Sequence, residues 1–195
     1  MSWHAEDLVM SHLVESITAP LASTQNDLYL ALLESVVSQQ LSVRVADVIF
    51  NRFCGLFPDN YPAAEQIVLL ATEKLRSVGL SGQKAAYIQN IANFHLESPI
   101  TLTQLNHLTD EEVITHLTQI KGVGRWTVQM LLMFPMNRPD VFPIDDLGIR
   151  QSIITLYEVT ETGKDLYKRL HEIAERWKPN RTLACKYLWR ARDTK

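Results

Sequence analysis

The chain has 195 residues, 46% hydrophobic and 21% charged, with a formal net charge of −3. These values are typical of a globular protein with one large or two small domains, and they exclude a disordered or collagen-like chain. The only cysteines, Cys54 and Cys185, are too few for a four-cysteine zinc site or iron–sulfur cluster and fit a reducing compartment. No apolar run approaches ~20 residues, and the N-terminus does not resemble a signal peptide. We therefore expect a cytoplasmic protein, or a nuclear one in a eukaryote, with no membrane association.

The charges are distributed unevenly along the chain. From Lys164 to Lys195 there are 10 basic and 4 acidic residues, net +6, whereas residues 1–163 carry a net charge of −9. A basic end on an acidic body could steer a phosphate backbone onto one face of the molecule. The alternative is an ordinary solvated helix exterior.

Apolar residues recur at helical spacing along most of the chain, and strand patterns are nearly absent. Thr109, followed by Glu112 three residues later, forms a capping box that marks one helix start. The pattern predicts an all-α fold with about nine or ten helices. The predicted breaks between helices fall at residues 19–20, 57–62, 78–82, 98–99, 121–124 and 134–143.

Residues 117–128 join two helical patterns through a turn that contains Gly122 and Gly124. Glycine lacks the Cβ that would keep a ligand away from the backbone, and the first N–H groups of the second helix have no partner within it. The amides of Gly122, Gly124 and Thr127 could therefore hold a phosphate without reading sequence. The alternative is a plain turn in which Gly122 only ends the first helix.

Two adjacent carboxylates, Asp145 and Asp146, follow an apolar stretch at the start of the next predicted helix. One aspartate suffices as an N-cap, so the second could project toward the hairpin and exert a poorly screened field among apolar neighbours. The alternative is that both serve capping and compensation of the helix dipole.

Together, LTQIKGVGRWTV from Leu117 and VFPIDDLGIRQSI from Val141 resemble the signature of the helix-hairpin-helix (HhH-GPD) DNA glycosylases, closest to the DNA-3-methyladenine glycosylase II branch. Three further segments are similar to that branch and extend the resemblance over about residues 28–190; they begin at Ser35, Val78 and Glu175. The resemblance implies two helical lobes with a DNA-binding cleft between them. It places residues 1–22 and 137–195 in a terminal lobe and 23–136 in a central lobe, with the helix-hairpin-helix at about 109–134.

The resemblance also implies roles for single residues. Asp146 matches the catalytic carboxylate, which leaves Asp145 as the expected helix cap. Gln40 falls where relatives insert a side chain into the stack vacated by the flipped nucleotide; a buried helix-to-helix hydrogen bond is its alternative. The other implied residues are Trp126, Trp189 and Met130 in the base pocket, Gly122, Gly124, Thr127, Gln40, Ser42 and Lys84 as DNA contacts, and the carbonyls of Thr118, Ile120 and Val123 as ligands of a monovalent cation. Core packing is the alternative role for the tryptophans.

Two departures from other branches refine the expected activity. Lyase-active branches have a lysine where this chain has Trp126, which implies a monofunctional hydrolase. Gly82 stands where some relatives place a bulky wedge, which favours Gln40 in that role. The resemblance thus implies a monomeric glycosylase that removes alkylated purines of the 3-methyladenine type from double-stranded DNA. It would need no cofactor, although Na+ or K+ could bind at the hairpin. The alternatives are a non-catalytic DNA-binding module and a glycosylase for other damaged bases.

Overall fold

The computed structural model describes residues 6–17 and 26–193, and within this part of the chain all regular structure is helical. The predicted all-α fold is thus confirmed. None of the helices in these ranges is long and apolar enough to cross a membrane. The elements are α1 (Leu8–Ser16), α2 (Leu28–Ser38), α3 (Val43–Cys54), a 3-10 turn η1 (Pro58–Asn60), α4 (Ala64–Leu69), α5 (Thr72–Ser77), α6 (Gly82–Glu97), α7 (Leu102–Leu105), α8 (Asp110–Leu117), α9 (Arg125–Met133), α10 (Leu147–Leu156), α11 (Gly163–Glu175) and α12 (Arg181–Asp193).

The predicted number of helices is too low, because the described residues form twelve α-helices. The difference comes from α4, α5 and α7, which have four to six residues each and are too short for a clear 3.6-residue period. The predicted break at residues 19–20 lies outside the described residues, and the other breaks separate helices. The capping box is confirmed, since Thr109 and Glu112 exchange both of its hydrogen bonds.

The chain divides into two compact units, Gln25–Leu131 and a second unit that combines Met1–Thr24 with Leu132–Lys195. The resemblance placed the limits between the two lobes after residues 22 and 136, whereas these units meet after residues 24 and 131. The arrangement of the lobes around a DNA cleft remains a prediction.

In the unit Gln25–Leu131, α2 packs against α3 and α6, and α4 and α5 also pack against α6. Both central helices are rich in fully buried aliphatic side chains, among them Leu32, Leu33, Val36, Ile88 and Ile91. Burying a side chain of this size contributes about 1.5 to 3 kcal/mol. The turn after α2 and the start of α6, which carry the predicted DNA contacts Gln40 and Lys84, are therefore joined to this core.

In the other unit, α10 packs against α11 and α12, and α1 packs against α12. Asp7 connects these elements: it is 5% exposed, caps α1 through the Met10 N–H (3.0 Å), and accepts from Tyr157 Oη (2.8 Å) and Trp177 Nε1 (3.2 Å). These three donors satisfy a buried carboxylate that would otherwise be costly. The start of α10, with its acidic pair, is built on this unit.

Candidate functional site

Asp146, and not Asp145, is the N-cap of α10. Its backbone is extended (φ −67°, ψ 118°), and its Oδ1 accepts a hydrogen bond of 2.8 Å from the Ile149 N–H. The prediction that Asp145 caps the helix is wrong, because an N-cap side chain reaches the N–H three residues ahead and Asp146 holds that register. Asp145 is exposed, whereas Asp146 is 9% exposed.

A second donor fixes the same carboxylate oxygen. Trp189 on α12 donates from Nε1 to Asp146 Oδ1 at 3.0 Å. Its indole stacks on Phe134, with ring centroids 5.6 Å apart and planes inclined by 22°. Trp189, predicted as a base-pocket residue, is thus in direct contact with the predicted catalytic carboxylate, and the indole is only half-buried.

A buried lysine lies against the Phe134 ring. Lys186 Nζ is 4.9 Å from the Phe134 ring centroid, within the range of a cation–π interaction. Lys186 is 8% exposed, and its desolvation lowers the pKa of the ammonium group. Sequence reasoning missed Lys186 and Phe134. Only Lys186 could have been found from the sequence, because it lies three residues before Trp189 and therefore on the same face of the helix.

Gly148, at the start of α10, lies close to three side chains. A Cβ there would lie 2.2 Å from Arg192 Nη1, 3.0 Å from Asp146 Oδ1 and 3.3 Å from Trp189 Nε1. A side chain at this position would displace Arg192 and crowd the hydrogen bond between Trp189 and Asp146. Burial is the main cause of the raised pKa of the Cys185 thiol, and the negative charge of Asp146 raises this pKa further.

The hairpin lies between α8, which ends at Leu117, and α9, which begins at Arg125. Gly122 has φ +105°, and a Cβ there would lie 2.2 Å from Cγ of Tyr87. The alternative in which Gly122 ends the first helix is wrong, because α8 ends at the C-cap Thr118. A Cβ at Gly124 would meet nothing within 4 Å, so the backbone before α9 is open to a ligand.

Side chains of α6 and α8 hold the hairpin in place. Asn90 donates from Nδ2 to the Lys121 carbonyl at 3.1 Å. Arg125 forms a two-point ion pair with Glu111, one hydrogen bond of which is 2.9 Å, and this hydrogen bonding lowers the pKa of the Glu111 carboxyl. Sequence reasoning identified neither Asn90 nor Tyr87, because their partners are more than 30 residues away.

Three carbonyls in the hairpin were predicted to bind a monovalent cation. Neutral backbone oxygens suit such an ion. The Ile120 carbonyl already accepts a hydrogen bond from the Val123 N–H (3.0 Å), and its second lone pair allows a further interaction. The carbonyls of Thr118 and Val123 complete the predicted ligands.

Trp126 and Met130 lie four residues apart on α9, on one side of the helix. Trp126 is 38% exposed, so its alternative role as a core tryptophan is wrong. Met130 is half-buried, and Thr127 is 2% exposed, so the contact of its amide with a phosphate stays a prediction.

The remaining predicted DNA contacts lie at the start of α3 and of α6. Gln40 is exposed, which excludes the alternative of a buried hydrogen bond. Ser42 is the exposed N-cap of α3 and makes no side-chain capping bond. Lys84 is half-buried, and its ammonium donates to the carbonyls of Val37 and Gln39, both at 2.7 Å. Its predicted contact with DNA remains a prediction.

Curated proteins of other organisms are similar to this chain in sequence. DNA-3-methyladenine glycosylase 1 of Schizosaccharomyces pombe is 40% identical over 164 residues, which cover 83% of this chain and 71% of the relative. The putative DNA-3-methyladenine glycosylase YfjP of Bacillus subtilis is 31% identical over 170 residues, 84% of this chain and 58% of the relative.

Solved structures are similar over almost the whole chain. The 3-methyladenine DNA glycosylase of S. pombe in complex with abasic DNA superposes with a TM-score of 0.84 and 34% identity, covering 98% of this chain and 94% of that one. DNA-3-methyladenine glycosidase of Bacillus halodurans gives 0.83 and 32%, with coverage of 97% and 87%. The family described as "HhH-GPD superfamily base excision DNA repair protein" matches residues 33–179. This chain therefore belongs to the HhH-GPD superfamily of base excision DNA repair proteins.

Proposed function

We propose that the protein is a monofunctional DNA N-glycosylase that removes alkylated purines of the 3-methyladenine type from double-stranded DNA. Its membership of a base excision repair superfamily and the names of its relatives support this activity. The observation that carries the proposal is the state of Asp146: a carboxylate that is 9% exposed and held at one oxygen by the Ile149 N–H and Trp189 Nε1.

Binding precedes the chemistry. The amides of Gly122, Gly124 and Thr127 would hold a phosphate at the start of α9, where the helix dipole favours an anion. A base inside a duplex is out of reach, so the nucleotide must be extruded at a cost of a few kcal/mol, which is lowest for damaged pairs. Gln40, with Ser42 beside it, would occupy the space left in the stack.

Recognition of the lesion follows from its charge. Alkylation at a ring nitrogen makes the purine cationic, and stacking of a cation on an indole contributes roughly 0.5 to 2 kcal/mol. Trp126, Trp189 and Met130 are the residues we expect around the extruded base. A neutral, undamaged purine gains less from these aromatic faces, which favours the lesion.

The chemical step breaks the bond between C1′ of the sugar and the purine nitrogen. The electron pair of this bond leaves with the cationic base, which departs as a neutral molecule, and positive charge develops on the sugar. Asp146 stabilises this oxocarbenium-like state electrostatically, and its shielding from water strengthens the effect. Water then adds to C1′ and releases its proton to solvent. Because the leaving group is already activated, no general acid is required.

No residue of the hairpin is positioned as an amine nucleophile in this proposal, since Trp126 occupies the position that lyase-active branches give to lysine. A monovalent cation at the carbonyls of Thr118, Ile120 and Val123 would add positive charge beside the phosphate-binding amides. We expect a monomer to be sufficient for the reaction.

The test compares wild type, Asp146→Asn and Asp145→Asn on methylated duplex DNA, with the released base measured by chromatography. Asparagine is a good N-cap, so Asp146→Asn keeps an acceptor for Ile149 and Trp189 and removes only the charge. We expect its excision rate to fall by about a hundredfold or more. Asp145→Asn is the matched control, because it removes the adjacent, exposed charge.

Three results would contradict the proposal. Full excision by a folded Asp146→Asn variant would exclude the catalytic role of this carboxylate. Tight DNA binding by wild type without release of base would indicate a non-catalytic binding module. Cleavage of the DNA strand without added alkali would contradict the monofunctional assignment.

A further inference from the structure

The loop that carries Gln40 has an unfavourable backbone conformation. The Leu41 N–H donates to the Ser38 carbonyl at 3.1 Å, Gln39 has φ −48° and ψ 128°, and Gln40 has φ +59°. These features match a type II turn, whose third residue is normally glycine because φ is positive there. A non-glycine residue keeps such a conformation only where its surroundings enforce it.

Lys84 supplies this restraint from another helix. Its ammonium donates to the carbonyls of Val37 and Gln39, each at 2.7 Å, and so brackets the last turn of α2 and the residue that precedes Gln40. Carbonyls at a helix C-terminus lack intrahelical partners, and a cation there is favoured by the helix dipole. Hydrogen bonds from a charged donor are among the stronger ones.

We propose that Lys84 is a positioning residue that holds the turn Ser38–Leu41 so that Gln40 keeps its left-handed backbone and points its side chain outward. This inference rests on the proposed function, in which Gln40 fills the gap left by the extruded nucleotide. Lys84 then affects DNA binding indirectly, by holding the turn, and does not make the direct contact with DNA expected from the resemblance.

The geometry favours this indirect role. Both hydrogen bonds turn the ammonium toward the protein backbone, and desolvation lowers the pKa of Lys84, as is typical of a lysine that is partly withdrawn from solvent. Leu41 and Val43, beside Gln40, are 37% and 79% exposed. The turn therefore presents an amide flanked by apolar groups, a surface suited to a disrupted base stack.

The first experiment is a double-mutant cycle. Wild type, Lys84→Met, Gln40→Ala and the double variant are titrated with a duplex that contains a tetrahydrofuran abasic-site analogue. We expect each single change to weaken binding by about tenfold, and the double variant to bind no more weakly than Gln40→Ala, because both changes remove the same interaction. Lys84→Arg, which keeps the charge and the donors, should restore binding. Additive losses would overturn the proposal.

The salt dependence of binding separates the two roles of Lys84. A lysine that neutralises a phosphate contributes about 0.9 to the slope of log K against log salt concentration. We expect the slope for Lys84→Met to equal that of wild type. A slope reduced by about one phosphate contact would show that Lys84 binds DNA directly and would overturn the proposal.

A third measurement needs no DNA. Hydrogen exchange of the Leu41 amide should become faster in Lys84→Met, while amides in the core of α6 keep their protection. Unchanged exchange at Leu41 would refute the restraint. If wild type releases no base, the proposed function fails, and the exchange result still decides whether Lys84 holds the turn.

Discussion

The two glycines of the hairpin should respond to alanine in opposite ways. Gly122 has φ +105° and lies against Tyr87, so that the Cβ of an alanine there would be only 2.2 Å from Cγ of the ring. The Cβ of an alanine at Gly124 would have no atom within 4 Å. The first glycine is therefore required by the fold. The second is required only where another molecule approaches the backbone.

The magnitude for Gly122→Ala has two parts. A positive φ costs a non-glycine residue about 1 to 3 kcal/mol, and overpacking against the Tyr87 ring costs about 1 to 3 kcal/mol more. In a chain of this size, 1 kcal/mol lowers the melting temperature by roughly 2 to 4 °C. We expect Gly122→Ala to melt at least about 4 °C below wild type, whereas Gly124→Ala should change stability by no more than about 0.5 kcal/mol.

The assay pairs thermal unfolding with binding to a short duplex. Gly124→Ala should melt like wild type and bind DNA about tenfold more weakly, because its Cβ stands between the amides and the phosphate. Adding Tyr87→Ala to Gly122→Ala should restore part of the lost stability, since the clash is removed while the positive φ remains. Equal melting temperatures for the two single variants would refute this reasoning, as would normal DNA binding by Gly124→Ala.

Two further changes test the unit that carries Asp146. Trp189→Phe removes the indole donor to the Asp146 carboxylate and keeps the aromatic stack. A hydrogen bond to a charged group contributes about 1.5 to 3 kcal/mol, so the single-turnover excision rate of the folded variant should fall by about tenfold or more, and an unchanged rate would exclude this positioning role. Asp7→Asn places an amide against the donors of Tyr157 and Trp177; we expect a loss of about 2 to 4 kcal/mol in chemical denaturation with normal excision at low temperature, and a variant as stable as wild type would contradict the network.

The helical fold and several helix boundaries could be predicted, because they depend on local signals. The capping box at Thr109 involves residues three apart, and the breaks at Gly and Pro are equally local. The short helices α4, α5 and α7 could not, because four to six residues carry too little periodicity. In the structure α4 and α5 pack against α6, and Leu105 of α7 is buried.

The site shows the same division between local and distant contacts. The sequence located the hairpin and the acidic pair. The hydrogen-bond partners of Lys84, however, are separated from it by 45 and 47 positions in the sequence, and the partner of Asn90 by 31 positions. Neither periodicity nor a motif contains such pairings. The resemblance placed Lys84 beside DNA, which stays a prediction, and the hydrogen bonds of its ammonium to Val37 and Gln39 could not be read from the sequence.

The error at the acidic pair has a physical lesson. The resemblance gave catalysis to Asp146 by motif register, and the cap was therefore assigned to Asp145. In the structure, the bonds from Ile149 and Trp189 both end on Oδ1 of Asp146. Capping thus fixes the side-chain rotamer and holds the negative charge at the positive end of α10, where the dipole stabilises it.

A catalytic charge must be held in place before the reaction, because reorienting it in the transition state would cost part of the stabilisation that it provides. The N-cap position meets this requirement at no additional cost, since the helix needs an acceptor there in any case. Capping and electrostatic catalysis are therefore compatible roles for Asp146, and the cap is the means by which the charge is positioned. The replacement of aspartate by asparagine separates the two, because it retains the acceptor and removes the charge.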